Sequence, residues 1–442
     1  MNRRSKTQKV KRQKVKKQKR KTQKRYEPTV NKKLQELVSK TPLEINRELL
    51  KCNAAFDKTG TISLTYGEST PSLSYVEPRI AVPKCYKISD KEAQETLLHN
   101  ARSKKLLPAS DIVAPFQSMA NCWFNCGFMV NYISDRGRIF NRGFRESIIM
   151  GEMIGKSKRK TKIRPEKLRH ALGYLAVAID GCLRGDPLMH KLNTNHLILA
   201  IYKSIPKRSL PEIIRESKID ESSNPMLYYE GLYKYLYGNS GGAFPLVRLM
   251  LGNWKKGTEK KYQSFNFRMY LDMRVKMKFA LRGIPFFREP EKAYKYLKKE
   301  DLPALIVVEI ENKHNKHNKH NKHNKHNKST VDDIIDASKT VKKPKEFSIG
   351  DVRYILDSMV LRDVTNTHLC ALLTYDGRQY GFDGESYSKI NPFSWKNMIN
   401  TNKRWTFRGS KWQGRGMPGK DGSPLYWNFR DGYQALYYYR EN

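Results

Sequence analysis

Apolar positions divide the chain into a polar beginning, a helical middle and a strand-rich end. Residues 1 to about 40 carry no periodic apolar pattern. Residues 41–105 mix short apolar runs with turns around Pro71, Pro78 and Pro83, which predicts an irregular extension or a small appended unit. From Leu106 the pattern becomes globular, so residues 106–442 are expected to form the main domain. Asn121 to Ser134 is mostly apolar (Trp123, Phe124, Phe128, Met129, Val130, Tyr132, Ile133) and lacks proline. It predicts a helix buried on most sides, with Gly127 as its weak point. Residues 164–204 and 225–252 read as further helices.

After Leu302 the period changes. Leu305, Ile306, Val307, Val308 and Ile310 follow Pro303 as a short run rich in β-branched residues, a buried strand. Five Asn-Lys-His triplets start at Asn312 and trail off by Lys328. They have no means of building a core and predict a surface insertion over 312–328. Their histidines are metal-ligand types, but nothing in the repeat fixes a coordination geometry. Beyond them Tyr354–Val360, Leu369–Tyr375, Gln379–Phe382 and Gln434–Tyr439 read as strands, with Asp376-Gly377 as a tight turn between two of them. Helices first and strands afterwards predict an α+β domain in which the two parts pack together.

Charge changes the picture at the start of the chain. The net charge is +42, and from Met1 to Tyr26 there is no acidic residue while Lys or Arg fills about every second position. That segment cannot bury apolar surface and is expected to be a disordered basic tail over residues 1–40. Sequence-independent contact with nucleic acid is its favoured role, a nuclear import signal the next, and a solvated charge run the plainest. No secretory signal or membrane span is expected, because apolar stretches such as Ala171 to Cys182 are too short and carry Asp180. The cysteines at 52, 85, 122, 126, 182 and 370 form no CxxC pair. Neither a structural zinc site nor a disulfide framework is expected, and no cofactor is called for. The chain reads as soluble and from a reducing compartment, cytoplasmic or nuclear.

Two features carry candidate chemistry. A thiol attacks as thiolate, which a helix N-terminus and a nearby imidazolium favour. Cys122 stands at the start of the apolar helix, and Gln117, five residues earlier, offers a carboxamide donor for an oxyanion beside the Cys122 N–H. A lone cysteine beside a tryptophan is more often an inert core residue. His368 precedes one strand and Asp383 ends the next, so the turn at Asp376-Gly377 brings them together across a hairpin. Asp383 is then expected to accept the His368 Nδ1 proton and leave Nε2 for the thiol. From these residues alone, a satisfied structural histidine stands level with the catalytic reading.

Four segments raise the odds. Asn121-Cys122-Trp123-Phe124-Asn125 resembles the Cys box of ubiquitin-specific proteases, and Leu302-Pro303-Ala304-Leu305-Ile306-Val307 their Leu-Pro strand. Tyr354 to Val360, His368 and Tyr380-Gly381-Phe382-Asp383 resemble their His box, and Leu436, Tyr438 and Arg440 fall at the spacing of their closing strand. The segments occur in the family's order over residues 110–440. The resemblance implies a papain-like cysteine peptidase with a helical subdomain followed by an antiparallel β subdomain. It implies Cys122 as nucleophile, His368 as base, Asp383 as orienting acid and Gln117 as oxyanion donor. Its implied partner is ubiquitin, a ubiquitin-like protein or another protein substrate.

Departures are also visible. Gln117 stands where the family has Asn, as in papain relatives, and the family's paired CxxC fingers are absent. Ubiquitin's arginine-containing tail calls for carboxylates, yet this chain is basic throughout. The fold is therefore better supported than the substrate. Basic tail and repeat together resemble divergent members from large DNA viruses, with a host-cell or virion location. The rival readings are an inactive peptidase fold that binds nucleic acid through its tail, and a transglutaminase or acetyltransferase using the same Cys-His-Asp chemistry.

Overall fold

The computed structural model describes residues 63–66, 84–115, 117, 121–154, 160–210, 224–239, 246–251, 254–255, 302–310, 334–335, 342–349, 351–364, 368–384, 389–407 and 425–441, less positions 89, 187–188, 190–191 and 193. The basic tail and the Asn-Lys-His repeat lie outside the described residues.

Seven α-helices lead the described chain: α1 Lys91–Arg102, α2 Cys122–Phe128, α3 Asp135–Phe140, α4 Arg142–Met150, α5 Glu166–Leu183, α6 Thr194–Ser204 and α7 Pro225–Asn239. Beside three small two-stranded sheets among the described residues, an eight-stranded sheet follows: β1 Leu246–Leu251, β2 Leu305–Ile310, β3 Glu346–Ile349, β4 Val352–Arg362, β5 Leu369–Tyr375, β6 Arg378–Phe382, β7 Asn391–Pro392 and β8 Gln434–Arg440. Its order is β7-β6-β5-β4-β8-β2-β1, with β3 also paired to β4. Helices before strands make the domain α+β. None of the described helices is long and apolar enough to cross a membrane.

The sheet is covered on both faces. Leu305, Val307, Val360, Leu369, Ala371, Leu373, Tyr375, Ala435, Tyr437 and Tyr439 pack against the helices. Ile306, Val308, Ile310, Leu361, Cys370, Leu372, Leu436 and Tyr438 pack against Trp395, Phe407, Trp427 and Phe429 on the other side. Burial on both faces is why β2 and β8 read as nearly continuous apolar runs rather than alternating ones. A bulge between Leu356 and Ser358 shifts the register of β4 on β8, so Leu356 and Met359 both reach the outer core.

Two expectations need correction. Within 41–105, Ser63–Tyr66 pairs with Lys84–Lys87, and α1 packs with the helical layer. Ala93, Leu97 and Ala101 are buried at four-residue spacing along α1, an apolar stripe too narrow to stand out in so polar a segment. The stretch 225–252 is not all helix, since Leu246–Leu251 forms β1. Long-range pairing with β2 overrides a local pattern that suits either element. That pairing is parallel, so the β subdomain is mixed rather than purely antiparallel.

The hairpin β5–β6 is the local device that carries the site. Tyr375 pairs with Arg378 across a two-residue turn, in which Asp376 (φ 49°) and Gly377 (φ 70°) are both left-handed. Such turns match the right-handed twist of the strands they join. Both turn N–H groups donate to the carboxylate of Asp135 at the start of α3, each at 2.9 Å. Sheet and helical layer are thereby fastened at the hairpin tip.

Candidate active site

Cys122 is the first residue of α2, and α2 packs on β5. The helical path continues past Phe128 through one π-helical turn, Met129–Ile133, and stops at Ser134. The start of α2 is set by a buried polar chain. The Asn121 side-chain N–H donates to Thr194 Oγ (2.7 Å), the Thr194 hydroxyl donates to Asn125 Oδ1 (2.6 Å), and Asn125 Nδ2 reaches the Pro115 carbonyl (3.5 Å). All three side chains are fully buried. The network ties the first turn of α2 to the first residue of α6, so the backbone of Cys122 is held from outside its own helix.

From the sheet side, the in-register hairpin brings Asp383 to His368. Ala371 faces Phe382, which puts the two residues just beyond the paired ends of β5 and β6. His368 Nε2 and Asp383 Oδ1 are 2.6 Å apart, and both side chains are buried. Gln117 Nε2 lies 3.4 Å from His368 Nδ1. Gln117 itself is docked by its backbone N–H on the Gly384 carbonyl at 3.1 Å. Cys122 lies near enough to the ring for its thiol to favour the imidazolium. With Nε2 occupied by Asp383, Nδ1 is the nitrogen left for the thiol. The four expected residues are therefore brought together, but the ring is turned opposite to expectation: Asp383 takes Nε2, not Nδ1. Strand pairing fixes which residues meet; the side-chain torsions that choose the nitrogen leave no trace in the sequence pattern.

Burial alone disfavours an imidazolium here. The charge and hydrogen bond of Asp383, joined by Cys122, outweigh that penalty and raise the His368 pKa well above the ordinary histidine value. The neighbouring cysteine behaves differently. Burial first, then Cys122, Cys370 and Asp383, push the Cys126 thiol well up, so Cys126 stays protonated. Of the two cysteines on α2, Cys122 is the one that acts on the imidazole charge.

Further residues at the site were not anticipated. Asp363 accepts the backbone N–H of His368 on Oδ1 at 2.7 Å. Trp427 lies edge-on to the imidazole, with ring centroids 6.0 Å apart, and stacks on Trp405. Neither carries a spacing signal, because each reaches the site from a loop or an isolated bridge. Among the described residues, no group of three His, Cys, Asp or Glu side chains is placed to hold a metal ion.

No family model and no curated protein matches the chain. It is similar to solved structures of the SAGA DUB module. For the Ubp8-Sgf11-Sgf73-Sus1 module, 77% of this chain and 71% of that chain align at 9% identity and TM-score 0.36. For the module bound to monoubiquitin, 92% of this chain and 93% of that chain align at 9% identity and TM-score 0.36. For the module bound to ubiquitin aldehyde the coverage is 76% and 70%, again at 9% identity and TM-score 0.36. These scores are low, and the chemistry of the site rests on its own geometry.

Proposed function

We propose that this chain is a papain-like cysteine peptidase of the deubiquitinase type. The observation that carries the reading is the buried Asp383–His368 pair with Gln117 on the other ring nitrogen and Cys122 close enough to favour the imidazolium, which joins a helix start to a hairpin 246 residues further on. An inert histidine needs no thiol partner at a helix N-terminus. An imidazole raised by a carboxylate and set against a thiol is the arrangement that yields a thiolate–imidazolium pair.

Cys122 Sγ attacks the carbonyl carbon, and the developing oxyanion is held by the Cys122 backbone N–H and the Gln117 amide. His368 delivers the Nδ1 proton to the leaving amine, and a thioester to Cys122 forms. The same nitrogen then takes a proton from water, which attacks the thioester and frees the acid. Asp383 stays ionised throughout and holds the ring by Nε2. The ubiquitin-type substrate is supported by the four sequence segments that resemble ubiquitin-specific proteases.

Incubation with ubiquitin carrying a C-terminal amide reporter, with di-ubiquitins of several linkages, and with an electrophilic ubiquitin probe tests both halves. Turnover lost in Cys122→Ala, with covalent capture at Cys122, is expected. Capture by a small alkylator without any ubiquitin turnover sinks the substrate assignment. An unreactive Cys122 in the folded chain sinks the enzyme.

A further inference from the structure

We infer that Asp363 is a positioning residue for the histidine base, a role that rests on His368 being that base. The ladder between β4 and β5 ends at the pair Arg362–Leu369, and Asp363 and His368 are next in register. A regular hydrogen-bonded pair exchanges two backbone bonds. Here the Asp363 N–H donates to the His368 carbonyl at 2.8 Å, but the His368 N–H goes to the Asp363 carboxylate at 2.7 Å. The side chain has taken the place of its own backbone carbonyl. It is fully buried, as is His368.

His368 stands one residue before β5, so its backbone is not fixed by the strand itself. Asp363 supplies that fixing from both of its backbone-facing groups. Its own flanks are tied down: the Arg362 N–H donates to the Tyr433 carbonyl and the Val364 N–H to the Tyr426 carbonyl, each at 2.9 Å. Trp427, next to Tyr426, meets the imidazole from the same segment. Asp363 thus transmits a fixed frame to the Cα of His368, from which the ring reaches Asp383 on one edge and Gln117 on the other, with Cys122 close by. Its charge lies in the same neighbourhood, since burial, then Asp383 and Asp363, push up the Cys370 thiol two residues along. An aspartate is suited to the task, because its short side chain turns back on nearby main chain.

The test uses the full chain and needs no substrate. The rate of Cys122 alkylation by iodoacetamide is followed against pH by peptide mass spectrometry, and the His368 ring is titrated by ¹⁵N NMR. Asp363→Ala should slow alkylation at neutral pH by about tenfold, the scale of a small misplacement of reacting groups. It should also lower the His368 titration midpoint. Asp363→Asn keeps an oxygen acceptor at the same place and should stay within about twofold of the parent. Asp363→Ala with the parent's pH profile and His368 midpoint overturns the inference, as does Asp363→Asn losing as much as Asp363→Ala. Should the alanine variant not fold, Asp363→Glu decides, because it keeps the charge and displaces the accepting oxygen; a profile like the parent's overturns the inference. His368→Ala serves as the separate control. If it leaves alkylation unchanged, the base assignment falls, and the role of Asp363 falls with it.

Discussion

His368 meets Asp383 through Nε2 at 2.6 Å and turns Nδ1 towards Gln117, 3.4 Å away. That orientation decides which proton moves. In the proposed mechanism the carboxylate locks the tautomer with hydrogen on Nε2, and Nδ1 is the nitrogen that exchanges its proton. His368→Ala should therefore remove turnover almost entirely, by about 10⁴-fold or more, while Asp383→Ala costs less, because an orienting residue contributes less than nucleophile or base. Initial rates on a ubiquitin C-terminal amide, at equal folded concentration, measure both.

Cys122 and Cys126 sit one helical turn apart, yet only one should react. Iodoacetamide at neutral pH should modify Cys122 first, with Cys126 unlabelled in the native chain, because burial keeps the latter protonated. Peptide mapping of a time course reads the order. Faster labelling of Cys126 would move the nucleophile.

The raised pKa of His368 has a consequence for stability. A histidine that binds its proton more tightly when folded stabilises the native state. That contribution is fully present below the unfolded histidine value of about 6.5 and is lost as pH rises through the higher folded value. In Asp383→Asn the carboxylate is gone, the folded pKa falls, and this part of the pH dependence should flatten. Denaturant midpoints measured across neutral and alkaline pH, parent against variant, show it.

Asp135 holds the hairpin tip through two N–H bonds, so Asp135→Ala should act on the site without touching it. A loss of about 1–3 kcal/mol of stability is expected for two bonds to a partly exposed carboxylate. A slower Cys122 alkylation should accompany it as the hairpin loosens against α3. Urea unfolding and the alkylation rate, measured together, check the pair of effects.

Asp357 lies in the bulge of β4, and burial raises its pKa to about 6. One of its oxygens, Oδ2, has no hydrogen-bond partner. A carboxyl that is easier to protonate when folded costs stability as pH rises from its unfolded value to its folded one. Asp357→Asn should therefore stabilise the chain at pH 7, by about 1–3 kcal/mol at most, and leave it little changed near pH 4. Thermal melts at the two pH values compare them. A destabilised variant at pH 7 would mean that the charge near Lys396 outweighs the burial.

Much of the site is legible in the sequence because it rests on short-range rules. Asp376-Gly377 between two apolar runs dictates a hairpin, and its register delivers Asp383 to His368. Cys122 before an apolar stretch marks a helix start. The illegible parts are long-range or torsional. Leu246–Leu251 becomes a strand only because β2 is beside it. α1 is hidden because three small or aliphatic residues make a stripe that the surrounding charges conceal. Asp363 and Trp427 act from a loop and from an isolated bridge, where no periodicity applies. The choice between Nδ1 and Nε2 is a rotation that composition cannot register.

The position of β8 has a consequence for how the protein comes into being. This strand follows β4 and β2 in the chain, yet it lies between them in the sheet. Until Gln434–Arg440 has emerged from the ribosome and slotted in, β2 and β4 have no common neighbour, and the sheet consists of two unjoined parts. Assembly is thus dominated by contacts far apart in sequence, the regime in which folding is slow. A nascent chain already displays Cys122 early in synthesis, but the platform opposing it closes last. The sheet that faces Cys122 is therefore joined only once Gln434–Arg440 has been made, and a chain stopped before residue 434 leaves β2 and β4 without the strand between them.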